Sequence, residues 1–333
     1  MSTPPTRRMW WSLALRVAGS VVVLAVLFQF LPVGELWHTM RRISPLAWLV
    51  VLAAYLGAHF IGVFKWRLMV NLAGAGLSLP QAARCYFAGL FGNIFLPSLI
   101  GGDVIRAGLA LRMGRSKAGV LLGSLLDRIL DIGALAIVAA TGVLLVPGAL
   151  DPAMARGVWK FLGQAALAGL LGLGLALLAL WLLRRRFSFR MRRRVVKLRV
   201  AARSMARQPL RVGVALALGV TLQLSFVLLM SRIAIECGLF VPLRGWMFAY
   251  PLAKLAALAP ITQGGIGVRE AALAVLVTPF GAPPVLTVAA GLVWETVVIT
   301  AGLLSGALAF WSVRASAAGA PVAATVRNRQ GLR

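Results

Sequence analysis

Pro97-Ser98-Leu99-Ile100-Gly101-Gly102-Asp103-Val104-Ile105-Arg106 and Pro260-Ile261-Thr262-Gln263-Gly264-Gly265-Ile266-Gly267-Val268-Arg269 share one pattern: a proline, three residues, a glycine pair, three residues and an arginine. Each follows an apolar piece, 81–99 and 245–259, that is short for a membrane span. Proline ends a helix by removing a donor and clashing with the preceding turn, and a glycine pair lets the chain reverse without a Cβ penalty. Irregular backbone of this kind survives at membrane depth only where it is buried in protein or lines a wet cavity. Upstream, Phe87 and Tyr250 hold equivalent places, and downstream Asp131 and Glu295 fall within a residue of equivalence. A duplicated half accounts for the match, and paired breaks in two halves are the sequence pointer to a transporter's binding site.

The surroundings are those of a membrane protein. The 333 residues are 60% hydrophobic and only 13% charged, with a mean hydropathy of +0.90. Lys and Arg number 35 against 8 acids, for a net charge of +27. Such a balance can signal nucleic acid, but no RNA or DNA motif is present and the basic residues flank apolar runs, so anionic headgroups are the expected partners and nucleic acid is not. Runs near the roughly 20 residues that cross a bilayer lie at 12–31, 46–64, 118–146, 161–183, 212–235 and 285–311. The first, with Arg7 and Arg8 before it and Arg16 near its start, reads as a retained span rather than a cleaved signal peptide. The basic stretch from Arg184 to Arg211 is cytoplasmic by the positive-inside rule, which puts both termini on the same side if the two short pieces are re-entrant.

The expected fold is therefore all-α: a polytopic transmembrane helical bundle of two inverted repeats, each with a re-entrant or broken helix. Residues 1–158 form the first membrane half, broken within 81–112. Residues 159–312 form the second, broken within 245–280, and 313–333 form a disordered basic tail.

Charges inside apolar segments point to the site. An ionised side chain at the centre of a membrane helix costs about 2.5–3.5 kcal/mol on insertion scales. Yet Asp103, Asp127, Asp131, Glu270 and Glu295 lie within or beside apolar runs, as do Arg106, Arg128, Arg269 and Lys254. The arginine after each glycine pair sits in the first turn of a new helix, whose N–H groups and positive dipole end suit a phosphate. Arg106, Arg269, Arg128 and Lys254, with the backbone at Gly101, Gly102, Gly264 and Gly265, are the expected contacts to a lipid phosphate. The five carboxylates form the charge network and Pro97 and Pro260 the breaks. The competing reading is an ion-pair lattice in which the arginines only neutralise their neighbours, Arg128 pairing with Asp131 three residues on. Cys85 and Cys237 have neither CxxC spacing nor a histidine cluster, and no metal, cofactor or catalytic constellation is expected.

On these residues, Pro97 to Asp131 and Pro260 to Glu270, the chain resembles the lysylphosphatidylglycerol synthase transmembrane (flippase-like) family over nearly its whole length. The Gly264-Gly265-Ile266-Gly267-Val268-Arg269-Glu270 run is the more specific of the two motifs. The resemblance implies translocation of an aminoacylated phospholipid or a polyprenyl-linked lipid between leaflets. It also implies association with a glycosyltransferase or aminoacyl-transferase partner. No aminoacyl-transfer domain follows the last apolar run in the sequence given, so synthase activity is not expected to carry over. The expected function is a flippase of the bacterial inner membrane that binds an anionic headgroup. The alternative is a membrane subunit, or an enzyme, acting with such a transferase on a lipid-linked substrate.

Overall fold

The computed structural model describes residues 33–95, 101–146, 189–257, 262 and 265–318, with scattered positions between 152 and 171. The expected spans at 12–31 and 161–183 lie outside the described residues or only partly within them, as do Pro97, Pro260 and Gly264.

The described chain is helical. A short amphipathic helix, α1 (Val33–Arg41), precedes α2 (Pro45–Leu72). The first hairpin is α3 (Leu79–Phe95) and α4 (Gly101–Met113), followed by α5 (Lys117–Leu144). The basic stretch folds as α6 (Phe189–Ala206); it has no Pro or Gly, and its Arg, Lys, Ala and Val content sustains a helix where a loop was expected. Then come α7 (Pro209–Glu236), a second hairpin of α8 (Leu243–Ala256) and α9 (Val268–Val277), and α10 (Pro284–Ala318). Proline opens α2, α7 and α10, where its missing donor costs nothing. Ser116 caps α5 by accepting a hydrogen bond from the Gly119 N–H at 3.0 Å.

Both broken segments turn back on themselves. Gly102 of α4 lies so close to Gly89 and Asn93 of α3 that a Cβ there would strike the Gly89 carbonyl, while Gly92 faces Ile105. The residue numbers rise on one arm as they fall on the other, so the arms are antiparallel. In the second hairpin, Gly265 abuts Ala257 at the turn and Gly245 meets Phe280 at the far end. Gly265 and Gly267 have φ of 81° and 86°, backbone that a side chain would strain. At 1.5 Å per residue the 17 residues of α3 reach about 25 Å and the 14 of α8 about 21 Å, short of the roughly 30 Å hydrocarbon core.

The helix pairings repeat when the halves are exchanged. The first hairpin lies along α10 and the second along α5, each on the long helix of the opposite half, while α2 and α7 pair with one another. Tyr55 and His59 of α2 meet Phe226, and Gly219 approaches the Lys65 stem, so α2 and α7 run antiparallel. Backbones approach closely where glycine permits: Gly123 against Val70, and Gly142 against Met247 and Phe248. The main core wraps Tyr55, Phe226, Trp246, Phe248 and Trp294.

Among the described residues three helices, Pro45–Leu72, Pro209–Glu236 and Pro284–Phe310, are long and apolar enough to cross a membrane. α5 is as long as the first two at 28 residues, but Asp127, Arg128 and Asp131 interrupt its apolar surface. Leu49, Val50 and Phe60 on α2 and Leu303, Leu304 and Leu308 on α10 are exposed, as lipid-facing side chains are. The chain is a multi-pass membrane protein.

Candidate functional site

Between the two hairpins lies a cavity of about 300 Å³. The four cations expected from the sequence, Arg106, Arg128, Lys254 and Arg269, all line it, as do Asp103, Asp131, Glu295 and Gly102. Asp127 and Glu270 stand one layer back, each fully buried.

The two arginines of the repeat are held alike. Arg106 Nη2 donates to Asp103 Oδ1 on its own helix at 2.8 Å and reaches Asp127 Oδ2 on the following long helix at 3.4 Å. Arg269 Nη2 donates to Glu270 Oε1 on its own helix at 2.6 Å and to Glu295 Oε2 on the following long helix at 2.5 Å. Both tie the second arm of a hairpin to the helix after it. Arg106 also lies over the Trp66 and Tyr86 rings, 5.0 and 5.3 Å from their centroids. The ion-pair lattice is therefore present, and it forms the wall of the cavity.

Arg128 pairs with Asp103 of α4 instead of Asp131. Asp131 is held by Lys65, whose Nζ is 3.0 Å away. A helical spacing of three makes a contact available, but partners from other helices have taken both side chains. Lys254 differs from the rest. Its Nζ donates to Gln223 Oε1 at 3.1 Å and sits 4.7 Å from the Phe226 centroid and 5.9 Å from that of Tyr250. No carboxylate lies within ion-pair distance of it among the described residues.

The helix starts are partly occupied. Asn93 Oδ1 accepts from the Gly102 N–H at 2.9 Å, and Glu270 Oε2 accepts from the Gly267 N–H at 2.6 Å. Side chains thus already take N–H groups that were expected to face a phosphate. Gly101 opens α4, and Gly265 lies in the turn before α9.

Several residues in the cavity wall or behind it carried no signal for a site. Lys65, 2% exposed, follows the apolar run 46–64, and nothing near it in sequence marks Asp127 as its partner. His59 Nδ1 lies 3.2 Å from the Tyr86 hydroxyl, and Tyr86, rather than Phe87, shares the cavity wall with Tyr250. Tyr55, Phe226 and Trp294 complete an aromatic lining. Ile132 and Ile299 also line the cavity and are 42% and 37% exposed. Among the described residues no three His, Cys, Asp or Glu side chains are placed to hold a metal ion.

No curated protein sequence matches the chain. A family model described as the lysylphosphatidylglycerol synthase TM region matches residues 12–306. With a charged cavity between two broken hairpins, and that match over most of its length, the chain belongs to the lysylphosphatidylglycerol synthase transmembrane region family.

Proposed function

We propose that the protein is a lipid flippase of the bacterial inner membrane, with both termini in the cytoplasm, that takes the anionic headgroup of a phospholipid or polyprenyl-linked lipid into this cavity. The observation that carries the reading is the polarity of the walls. Charged and aromatic side chains line the cavity together with Ile132 and Ile299, which are exposed. A headgroup suits the charged side chains and acyl chains the apolar ones. The antiparallel pairing of α2 with α7 and the exchanged hairpins support two inverted repeats, the arrangement that lets one site open to either leaflet by rocking one half against the other.

Lys254 is the natural first contact for a phosphate, because among the described residues it alone of the four cavity cations has no carboxylate at ion-pair distance to give up. Arg106 and Arg128 position the wall and offer their remaining N–H groups, and Arg269 can turn from Glu295 toward the phosphate. The carboxylates serve as ion-pair partners on this reading and not as general bases, since each is tied to a Lys or Arg side chain.

The test is leaflet exchange of a fluorescent phosphatidylglycerol in proteoliposomes, read as the fraction quenched by an external reductant. Wild type should raise the quenched fraction from about half toward completion, and Arg106→Gln should not. Wild-type vesicles indistinguishable from protein-free vesicles would remove the flippase reading.

A further inference from the structure

We infer that the cavity takes up a proton together with an anionic headgroup, and that Glu295 carries it. The inference rests on the lipid-binding reading above and concerns how the charge is compensated.

In the first half Lys65, Arg106 and Arg128 face Asp103, Asp127 and Asp131. In the second, Arg269 and Lys254 stand with Glu270 and Glu295. Among the described residues of the site, cations and carboxylates balance at five of each. A phosphodiester brings one negative charge beside Arg269 and Glu295, whose side chains are only 11% and 13% exposed. Uncompensated charge in such a place is costly enough that a titratable group changes its protonation state instead.

The geometry selects the group. Asp103 and Asp127 are each held by two cations. Glu270 is fully buried and keeps the Gly267 N–H as well as Arg269. That leaves Asp131 and Glu295, the matched positions of the two halves, each with one cation and each on the cavity wall. The partner of Asp131 is Lys65, which is 2% exposed and does not line the cavity, so a ligand cannot draw it away. The partner of Glu295 is Arg269, which does line it. A phosphate that recruits Arg269 leaves Glu295 without its counter-ion, and the freed carboxylate binds a proton.

The charged and titratable groups that share the cavity wall with Glu295 are Tyr55 and His59 of α2, Tyr86 of α3, Asp103 and Arg106 of α4, Arg128 and Asp131 of α5, Tyr250 and Lys254 of α8 and its partner Arg269 of α9, which also holds Glu270. α7 adds Gln223 and apolar side chains. Because the complex holds one more proton than the free protein, affinity for the anion must fall as pH rises, tenfold per unit wherever Glu295 is ionised in the free protein and protonated in the complex. The movement of anion and proton together is electroneutral, so leaflet distribution should follow a pH gradient and ignore membrane potential.

The test is calorimetric titration of the detergent-solubilised protein with dihexanoyl phosphatidylglycerol in buffers of different ionisation enthalpy. This lipid has a single phosphodiester charge that does not titrate near neutrality. One proton taken up per lipid bound, with Glu295→Gln binding the lipid without uptake and without pH dependence, is the expected result. Wild-type binding with no uptake would overturn the inference and leave the lipid site standing. Uptake that persists in Glu295→Gln would overturn the assignment to Glu295. No binding at all would overturn both this inference and the lipid-binding reading. Dihexanoyl phosphatidylcholine, which brings no net charge, should bind without a proton, and uptake with it would count against charge compensation.

Discussion

Lys65 Nζ lies 2.5 Å from Asp127 Oδ1, with both side chains almost completely buried, and this pair joins α2 to α5 behind the cavity wall. Breaking a buried pair strands a charge, whereas replacing both members with apolar groups need not. Lys65→Ala should therefore lower stability by about 3–5 kcal/mol. Lys65→Met combined with Asp127→Leu should be less damaging than Lys65→Ala alone, since Arg106 keeps Asp103 and Asp131 reaches the cavity. Thermal unfolding in lipid nanodiscs checks the order of the three proteins.

The two matched arginines should differ in what they hold together. Removing Arg106 leaves Asp103 with Arg128 and Asp127 with Lys65. Removing Arg269 takes from Glu295 the one cation seen at ion-pair distance among the described residues. Arg106→Gln is expected to cost about 1.5–3 kcal/mol, the worth of hydrogen bonds to a charged group, and Arg269→Gln about 3–5 kcal/mol. Equal losses in unfolding measurements would contradict the asymmetry.

Lys254 separates binding from folding. No carboxylate is stranded when it is removed, so Lys254→Met should unfold at the wild-type temperature or slightly above it. A charge-assisted contact is worth about 1.5–3 kcal/mol, so affinity for phosphatidylglycerol should fall about tenfold or more. Titration calorimetry and thermal unfolding on the same preparation read both quantities.

How much of this was legible in the sequence depended on distance along the chain. The breaks and the four cavity cations could be read because proline, paired glycine and intramembrane charge carry their meaning locally. Ion-pair partners could not. Arg128 and Asp131 share a helix three residues apart, yet Arg128 turns to Asp103 and Asp131 to Lys65, choices made by how α2 and α4 pack on α5. Lys65 was invisible for the same reason, since it follows an apolar run and its partner is 62 residues on. The tyrosine register was off by one residue in the first half because Phe87 packs in a core while Tyr86 reaches the cavity. The basic stretch read correctly as charge but not as structure, since charge density says little about helicity.

That basic helix supports a separate expectation. Ala201 and Met205 of α6 pack inward against Met69 and Leu72, while Val196, Arg199, Val200, Arg203 and Arg207 are exposed. Apolar side chains among arginines on one face suit the membrane interface. Replacing Arg199, Arg203 and Arg207 with Gln should weaken stabilisation by anionic lipid by about 1 kcal/mol per residue. The difference should disappear in high salt, where interactions between exposed charges are screened.

The most direct test of the account is photo-crosslinking with a phosphatidylglycerol that carries a diazirine on its headgroup glycerol, with adducts mapped by mass spectrometry. The account predicts adducts on the cavity wall, at Asn93, Arg106, Tyr250, Lys254 and Glu295, and their loss in Lys254→Met. Adducts confined to exposed residues such as Leu49, Phe60 and Leu304, unchanged by that substitution, would contradict it.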